Sequence, residues 1–209
     1  MQIVLYSFRR CPYAMRARMA LRVSNTEFEH REIELKAKPA HMLEISPKGT
    51  VPVLWVPGQG GKEVIEQSLE IMHWALGRND PEHWLIQDEH QSSAMYDLIK
   101  RNDEVFKFNL DRYKYPHRYN LSDPLVYRQN GEHFLKELNV LLEKSQYLMG
   151  QTPCLADVAL MPFVRQFSKV DSHWFEQLPY EKLKLWLRDF ENSNLFVSIM
   201  AKRALWVSS

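Results

Sequence analysis

Apolar residues along this chain follow two patterns: short β-branched runs at the start and long stretches of helical spacing afterwards. Gln2-Ile3-Val4-Leu5-Tyr6 is a run the length of a buried strand. From Pro12 onward, Met15, Met19, Leu21 and Val23 alternate with Arg16, Arg18 and Arg22, which predicts a helix with one wet face. Residues 27–35 alternate charged and apolar positions and read as a second strand near a sheet edge. A short helical segment is expected at 40–45, a loop at 46–50, and a third strand at 51–56, with Pro52 at its start where a proline is tolerated. Pro57-Gly58-Gln59-Gly60-Gly61 is the strongest turn signal, and 62–65 can return as its hairpin partner. Residues 67–76 then place Leu69, Ile71, Met72, Trp74, Ala75 and Leu76 on a mostly buried helix that Gly77 and Pro81 stop. The order β-α-β-α-β-β-α makes one compact α/β unit, assigned to residues 1–78.

The pattern changes near Gln87. Glycine becomes scarce, strand alternation disappears, and helical spacing runs through 88–115, 124–147, 155–170, 180–191 and 195–206. An all-helical domain over residues 87–209 is expected, joined by a linker at 79–85. No internal repeat or low-complexity tract interrupts the order.

Composition narrows the classes without choosing among them. Hydrophobic residues at 45% and charged residues at 25% are those of an ordinary globular chain. A formal net charge of +1 gives no general reason to expect a nucleic acid or an anionic membrane as partner. No apolar run approaches the ~20 residues of a membrane span, and the start reads directly into a strand without a secretory signal. Two cysteines far apart, Cys11 and Cys154, do not suggest a disulfide framework, so a reducing cytoplasm is the expected location. His30, His41, His73 and His83 show no metal-ligand spacing, and no metal is expected.

The chemistry gathers at Phe8-Arg9-Arg10-Cys11-Pro12-Tyr13-Ala14. Pro12 suits the first helical position, which puts Cys11 at the helix N-terminus, at the positive end of the macrodipole, with Arg9 and Arg10 beside it. Thiols in such places ionise well below the free value of about 8.5. A free cysteine is often only a small buried hydrophobe. The strand-to-helix turn, outside any apolar run, points instead to a reactive thiolate at Cys11.

Cys-Pro-Tyr-Ala resembles the active-site turn of glutaredoxins with the second cysteine replaced by Ala14. It is equally similar to the cysteine-type glutathione transferases, of which the omega class is the best-known member. The α/β-then-helical plan decides between them, and the resemblance to the glutathione transferase superfamily covers the whole chain. It implies an N-terminal thioredoxin-like domain followed by an all-helical C-terminal domain. Ser46-Pro-Lys-Gly-Thr-Val-Pro-Val-Leu54 resembles the segment that holds the cysteinyl part of glutathione through the backbone of Val51, with a cis Pro52. Ile65-Glu66-Gln67-Ser68-Leu69 resembles the turn that holds the γ-glutamyl end. Gln67 and Ser68 are the binding candidates, with Glu66 an alternative to Gln67. Lys38 matches a lysine that contacts glutathione in omega-like members.

The function so implied is a cysteine-type transferase acting as a glutathione-dependent thiol transferase or reductase through a mixed disulfide at Cys11. Glutathione is the co-substrate, the second substrate is an unidentified electrophile or disulfide, and a homodimer is expected. Ala14 removes a resolving thiol, so a second glutathione must release the protein. A non-enzymatic, partner-binding protein of the same fold is the alternative. Two further segments read as structural. Cys154-Leu155-Ala156-Asp157 resembles the family's capping box with a thiol in the hydroxyl's place. The basic and aromatic run from Arg112 to Tyr119 could stack bases, but a helix end turning at Pro116 explains it more cheaply.

Overall fold

The computed structural model describes residues 2–58 and 61–207. The chain divides into two compact units, one of Met1–Glu82 with Asn194–Ser209 and one of His83–Ser193.

The first unit is built on a four-stranded sheet in the order β2-β1-β3-β4. Strand β1 (Val4–Ser7) lies inside it, parallel to β2 (Glu29–Glu32) and antiparallel to β3 (Val53–Gly58). Strand β4 (Gly61–Ile65) closes the hairpin on β3, with Leu54 opposite Ile65 and Trp55 opposite Val64. The hairpin tip at Gln59 and Gly60 lies outside the described residues. Because strand side chains alternate, Val4 and Tyr6 share one face. There they form a core with Ile33, Met42 and Val53, under the short helix α2 (Ala40–Ile45). Leu5, Leu54 and Ile65 take the other face, the side on which α1 (Pro12–Val23) and α3 (Ser68–Leu76) pack together.

Three expectations for this unit change. The second strand is shorter than 27–35, because only Glu29–Glu32 pair with β1. The third begins at Val53, after a cis Val51–Pro52 peptide. Helix α1 has no wet face along its length: Arg16 is 0% and Arg18 2% exposed, and of its three alternating arginines Arg22 alone is exposed. An arginine can be buried when its donors find acceptors, and Arg18 finds them in the backbone before Cys11, as described below.

The end of the chain also departs from the reading. A helix was expected over 195–206 inside a domain of 87–209. Helix α10 covers only Asn194–Ile199, and the rest continues without regular structure. Tertiary contacts within the first unit claim this tail. The Trp206 N–H donates to the Glu32 carbonyl (2.8 Å), and the Arg31 guanidinium lies 4.3 Å from the Trp206 ring. Both outweigh the helix propensity of 201–206.

The second unit is helical. The segment expected as one helix over 88–115 is α4 (Glu89–Arg101), a π-helical turn (Asn102–Phe106) and α5 (Lys107–Lys114). The wider turn carries Phe106 into a ring cluster, 5.0 Å from Phe134 and 5.1 Å from Phe167 between centroids. Tyr115 leaves the helical region ahead of Pro116, as a pre-proline residue tends to. A 3₁₀ turn (Pro116–Tyr119) leads on to α6 (Leu125–Lys144). Helix α7 (Leu155–Ser168) is buried over most of its length and packs against α4, α5 and α9 (Glu181–Asn192). Helix α8 (Ser172–Gln177), not foreseen, starts at Asp171, whose carboxylate accepts from the Trp174 N–H at 3.0 Å. The basic and aromatic run is self-satisfied: Arg112 lies 3.3 Å from the Phe108 ring centroid, and Arg118 lies 4.1 Å from that of Tyr115. Among the described residues, no helix is long and apolar enough to cross a membrane.

Candidate active site

The turn between β1 and α1 is fixed by its own backbone. The Cys11 N–H donates to the Phe8 carbonyl (3.0 Å), and the Cys11 carbonyl accepts from the Met15 N–H (3.0 Å). Cys11 is therefore the N-cap of α1, in an extended conformation, with Pro12 in the first turn and no acidic residue there. Its thiol is partly exposed and lies 3.6 Å from the Val51 carbonyl, next to the cis peptide. The helix end and the loop before β3 thus meet at this sulfur.

Beneath the turn lies a charged network that the sequence reading missed. Arg18 Nη1 donates to the Ser7 hydroxyl (2.6 Å) and the Phe8 carbonyl (3.3 Å), and Nη2 to the Arg9 carbonyl (2.7 Å). Its Nε reaches the Ile199 carbonyl at the end of α10 (3.1 Å). Burial lowers Arg18 from the usual guanidinium range to about 10, against the pull of Glu32. Glu32 accepts from the Arg9 N–H (2.6 Å) and pairs with His30 (3.0 Å). Burial would raise the Glu32 carboxyl, but the hydrogen bonds from His30 and Arg9 and the charge of Arg18 hold it below the usual range. One signal for Arg18 was available: it follows Cys11 by seven residues, two helical turns, and so shares its face of α1.

The nearby hydroxyls are occupied. Tyr6 bonds to His41 Nδ1 (2.6 Å) and accepts from Arg31 (2.7 Å), while Ser7 accepts from Arg18.

The remaining expected positions fall in the same unit. Val51 lies in the loop before β3, outside the ladder, with its carbonyl towards Cys11. Gln67 is the N-cap of α3 and is exposed, and Ser68, 5% exposed, is the first residue of that helix. The Glu66 carboxylate is engaged by the buried Ser46 hydroxyl, and the Glu66 carbonyl accepts from Lys48 (3.3 Å). Lys38 lies over Gly49. That glycine has φ +62°, and a Cβ there would meet Leu43 Cδ2 at 3.1 Å and Lys38 Nζ at 3.5 Å.

Residues 5–84 match the family of glutathione S-transferase N-terminal domains. Over 193 residues the chain is 27% identical to mouse glutathione S-transferase omega-1, covering 89% of this chain and 75% of that protein. The chain is similar to the omega-class glutathione transferases over most of its length. Solved structures carry the same fold. A glutathione transferase family member from Pseudomonas fluorescens, solved with two glutathione bound, superposes with a TM-score of 0.82 at 16% identity, over 95% of this chain and 92% of that one. Glutathione transferase Omega 3C from Trametes versicolor does so with a TM-score of 0.75 at 21% identity, over 98% and 91%.

The second cysteine has a different setting. Cys154 is the buried N-cap of α7, and both its N–H (3.0 Å) and its thiol (3.2 Å) contact Asp157 Oδ2. Burial and the Asp157 charge push the Cys154 thiol far up. Among the described residues, no group of three or more His, Cys, Asp or Glu side chains is placed to hold a metal ion.

Proposed function

We propose that this protein is a cysteine-type glutathione transferase that performs glutathione-dependent thiol transfer through Cys11. The observation that carries the reading is the placement of the Cys11 sulfur, at the N-terminus of a twelve-residue helix headed by Pro12 and 3.6 Å from the Val51 carbonyl. A helix N-terminus favours the negative form of a group seated on it by up to ~2 kcal/mol, about one and a half pKa units.

The residues around it suit the tripeptide. The backbone of Val51 is free of the sheet ladder, so it offers a strand-like edge to the cysteinyl part. The first N–H groups of α3, with Ser68 and the exposed Gln67, suit the γ-glutamyl carboxylate and its neighbours. Gln67 is the better placed of the two alternatives, since the Glu66 carboxylate is engaged by Ser46. Lys38 adds a cation for a carboxylate.

The chemistry is thiol–disulfide exchange. The Cys11 thiolate attacks the glutathione sulfur of a mixed disulfide. The substrate S–S bond breaks, the substrate leaves as a thiolate and takes up a proton, and Cys11 becomes S-glutathionylated. A second glutathione thiolate then attacks that sulfur, releasing oxidised glutathione and restoring Cys11. Ala14, fully buried, offers no internal thiol to resolve the intermediate. The same reading places the protein in a reducing compartment and makes it a homodimer. The test is turnover of a glutathione mixed disulfide by wild type and Cys11→Ala. The variant is expected to fold and bind glutathione but to lose transfer, and undiminished turnover would overturn the mechanism.

A further inference from the structure

The guanidinium of Arg18 bonds to the end of β1, the turn after it and the end of α10. From α1 it reaches the Ser7 hydroxyl at the end of β1, the Phe8 and Arg9 carbonyls of the turn, and the Ile199 carbonyl at the end of α10. All of these lie in the first unit, and Arg18 is 2% exposed. The Phe8 carbonyl is the same one that accepts the Cys11 N–H, so Arg18 and Cys11 share an acceptor. A planar fork bonded to three backbone carbonyls and a hydroxyl fixes their relative positions more tightly than flexible side chains can.

We propose that Arg18 is a positioning residue for Cys11: it holds the Ser7–Arg9 backbone so that the Cys11 sulfur stays at the N-terminus of α1, and it supplies fixed positive charge near that sulfur. The proposal rests on Cys11 acting as the nucleophile described above. The charged groups around the fork are Glu32 and His30 from β2, Arg9 of the turn and Arg203 of the tail. Arg18, lowered only to about 10, stays cationic at working pH, and Glu32, held below the usual carboxylate range, stays anionic. The two therefore form a constant background. The Glu32 carboxylate takes the Arg9 N–H while Arg18 takes the Arg9 carbonyl, so one peptide unit of the turn is gripped from each side. Four bonds from one guanidinium to oxygen acceptors also explain why a residue type that is almost never fully buried unless paired sits inside α1.

The test is the iodoacetamide labelling rate of Cys11 between pH 5 and 9, read by peptide mass spectrometry, in wild type and Arg18→Lys. Lysine keeps the charge but cannot span the four acceptors. In wild type the midpoint should lie below the free-thiol value of about 8.5. In Arg18→Lys it should move up by about half to one unit, slowing labelling at pH 6 roughly three- to tenfold. A purely structural role would lower thermal stability and leave the midpoint where it was. A folded Arg18→Lys with an unshifted midpoint overturns the proposal and leaves the function intact. A wild-type midpoint at the free-thiol value overturns the function itself. Should Arg18→Lys fail to fold, Ser7→Ala decides: it removes one acceptor of the fork, and labelling at pH 6 should slow about twofold. An unchanged rate in that variant counts against the role of Arg18.

Discussion

Asp157 offers the sharpest test of the energetics in the helical unit. Its carboxylate is fully buried at the start of α7. Oδ1 accepts from the Leu148 N–H (3.0 Å) and the Trp186 Nε1–H (2.9 Å), and Oδ2 from the Cys154 N–H (3.0 Å) and thiol (3.2 Å). One side chain thus caps α7, anchors the segment before it and orients a ring of α9. Asp157→Ala strands three buried N–H donors, at about 1 kcal/mol each by the lower estimate. The Cys154 N–H among them is the cap bond itself and is counted once. Burial pushes the Asp157 carboxyl up, so relief of its desolvation offsets part of that loss. A net destabilisation of about 2 kcal/mol follows, worth a fall of ~4–8 °C in melting temperature for a chain of this size. Calorimetry of wild type and Asp157→Ala measures it directly. Asp157→Asn keeps one acceptor and should fall between the two. A change below about 1 kcal/mol for the alanine variant would mean that these donors find other partners, and the reasoning would fail.

Three further outcomes are expected. Gly131→Ala, inside α6, should destabilise although alanine is the better helix former by about 1 kcal/mol. A Cβ there would lie 2.5 Å from Phe167 Cε2 in the packed ring cluster, and a raised melting temperature would refute that contact. Glu32 is a group whose carboxyl is held low in the folded state, so its stabilisation is present above the unfolded value of about 4.3 and is lost as pH falls through the folded one. Glu32→Gln should therefore be less stable than wild type at pH 7, with the gap closing below pH 4, and a gap that persists there would contradict the assignment. Light scattering at micromolar concentration should give twice the chain mass of 24.8 kDa, and a mass of one chain would refute the homodimer.

What was legible in the sequence follows from local chemistry. Pro12 and the β-branched run before it fixed the turn at Cys11, because proline suits the first turn of a helix. The glycine-rich stretch after Pro57 marked the β3–β4 hairpin, and Gly77 the end of α3. What was not legible depends on partners far along the chain. Residues 201–206 carry helix formers with no breaker, yet Glu32 and Arg31 draw Trp206 into an extended tail. Arg18 reads as a solvated residue until its acceptors, 9 to 181 residues away in sequence, are in place. The π-helical turn at Asn102 has no local signature, because it is set by the seat of Phe106 between Phe134 and Phe167. Of the positions expected to meet glutathione, Ser68 and Gln67 were legible as a helix start, whereas the engagement of Glu66 by Ser46 needed the fold.

The central claim is that Cys11 is the nucleophile that carries glutathione. Intact mass after incubation with oxidised glutathione, followed by peptide mapping, tests it most directly. The account predicts a single glutathione adduct, on Cys11, with Cys154 unmodified in the folded protein because its thiol is buried and its ionisation opposed by Asp157. An adduct on Cys154 with Cys11 unmodified, or no adduct under conditions where a free thiol exchanges, would contradict it.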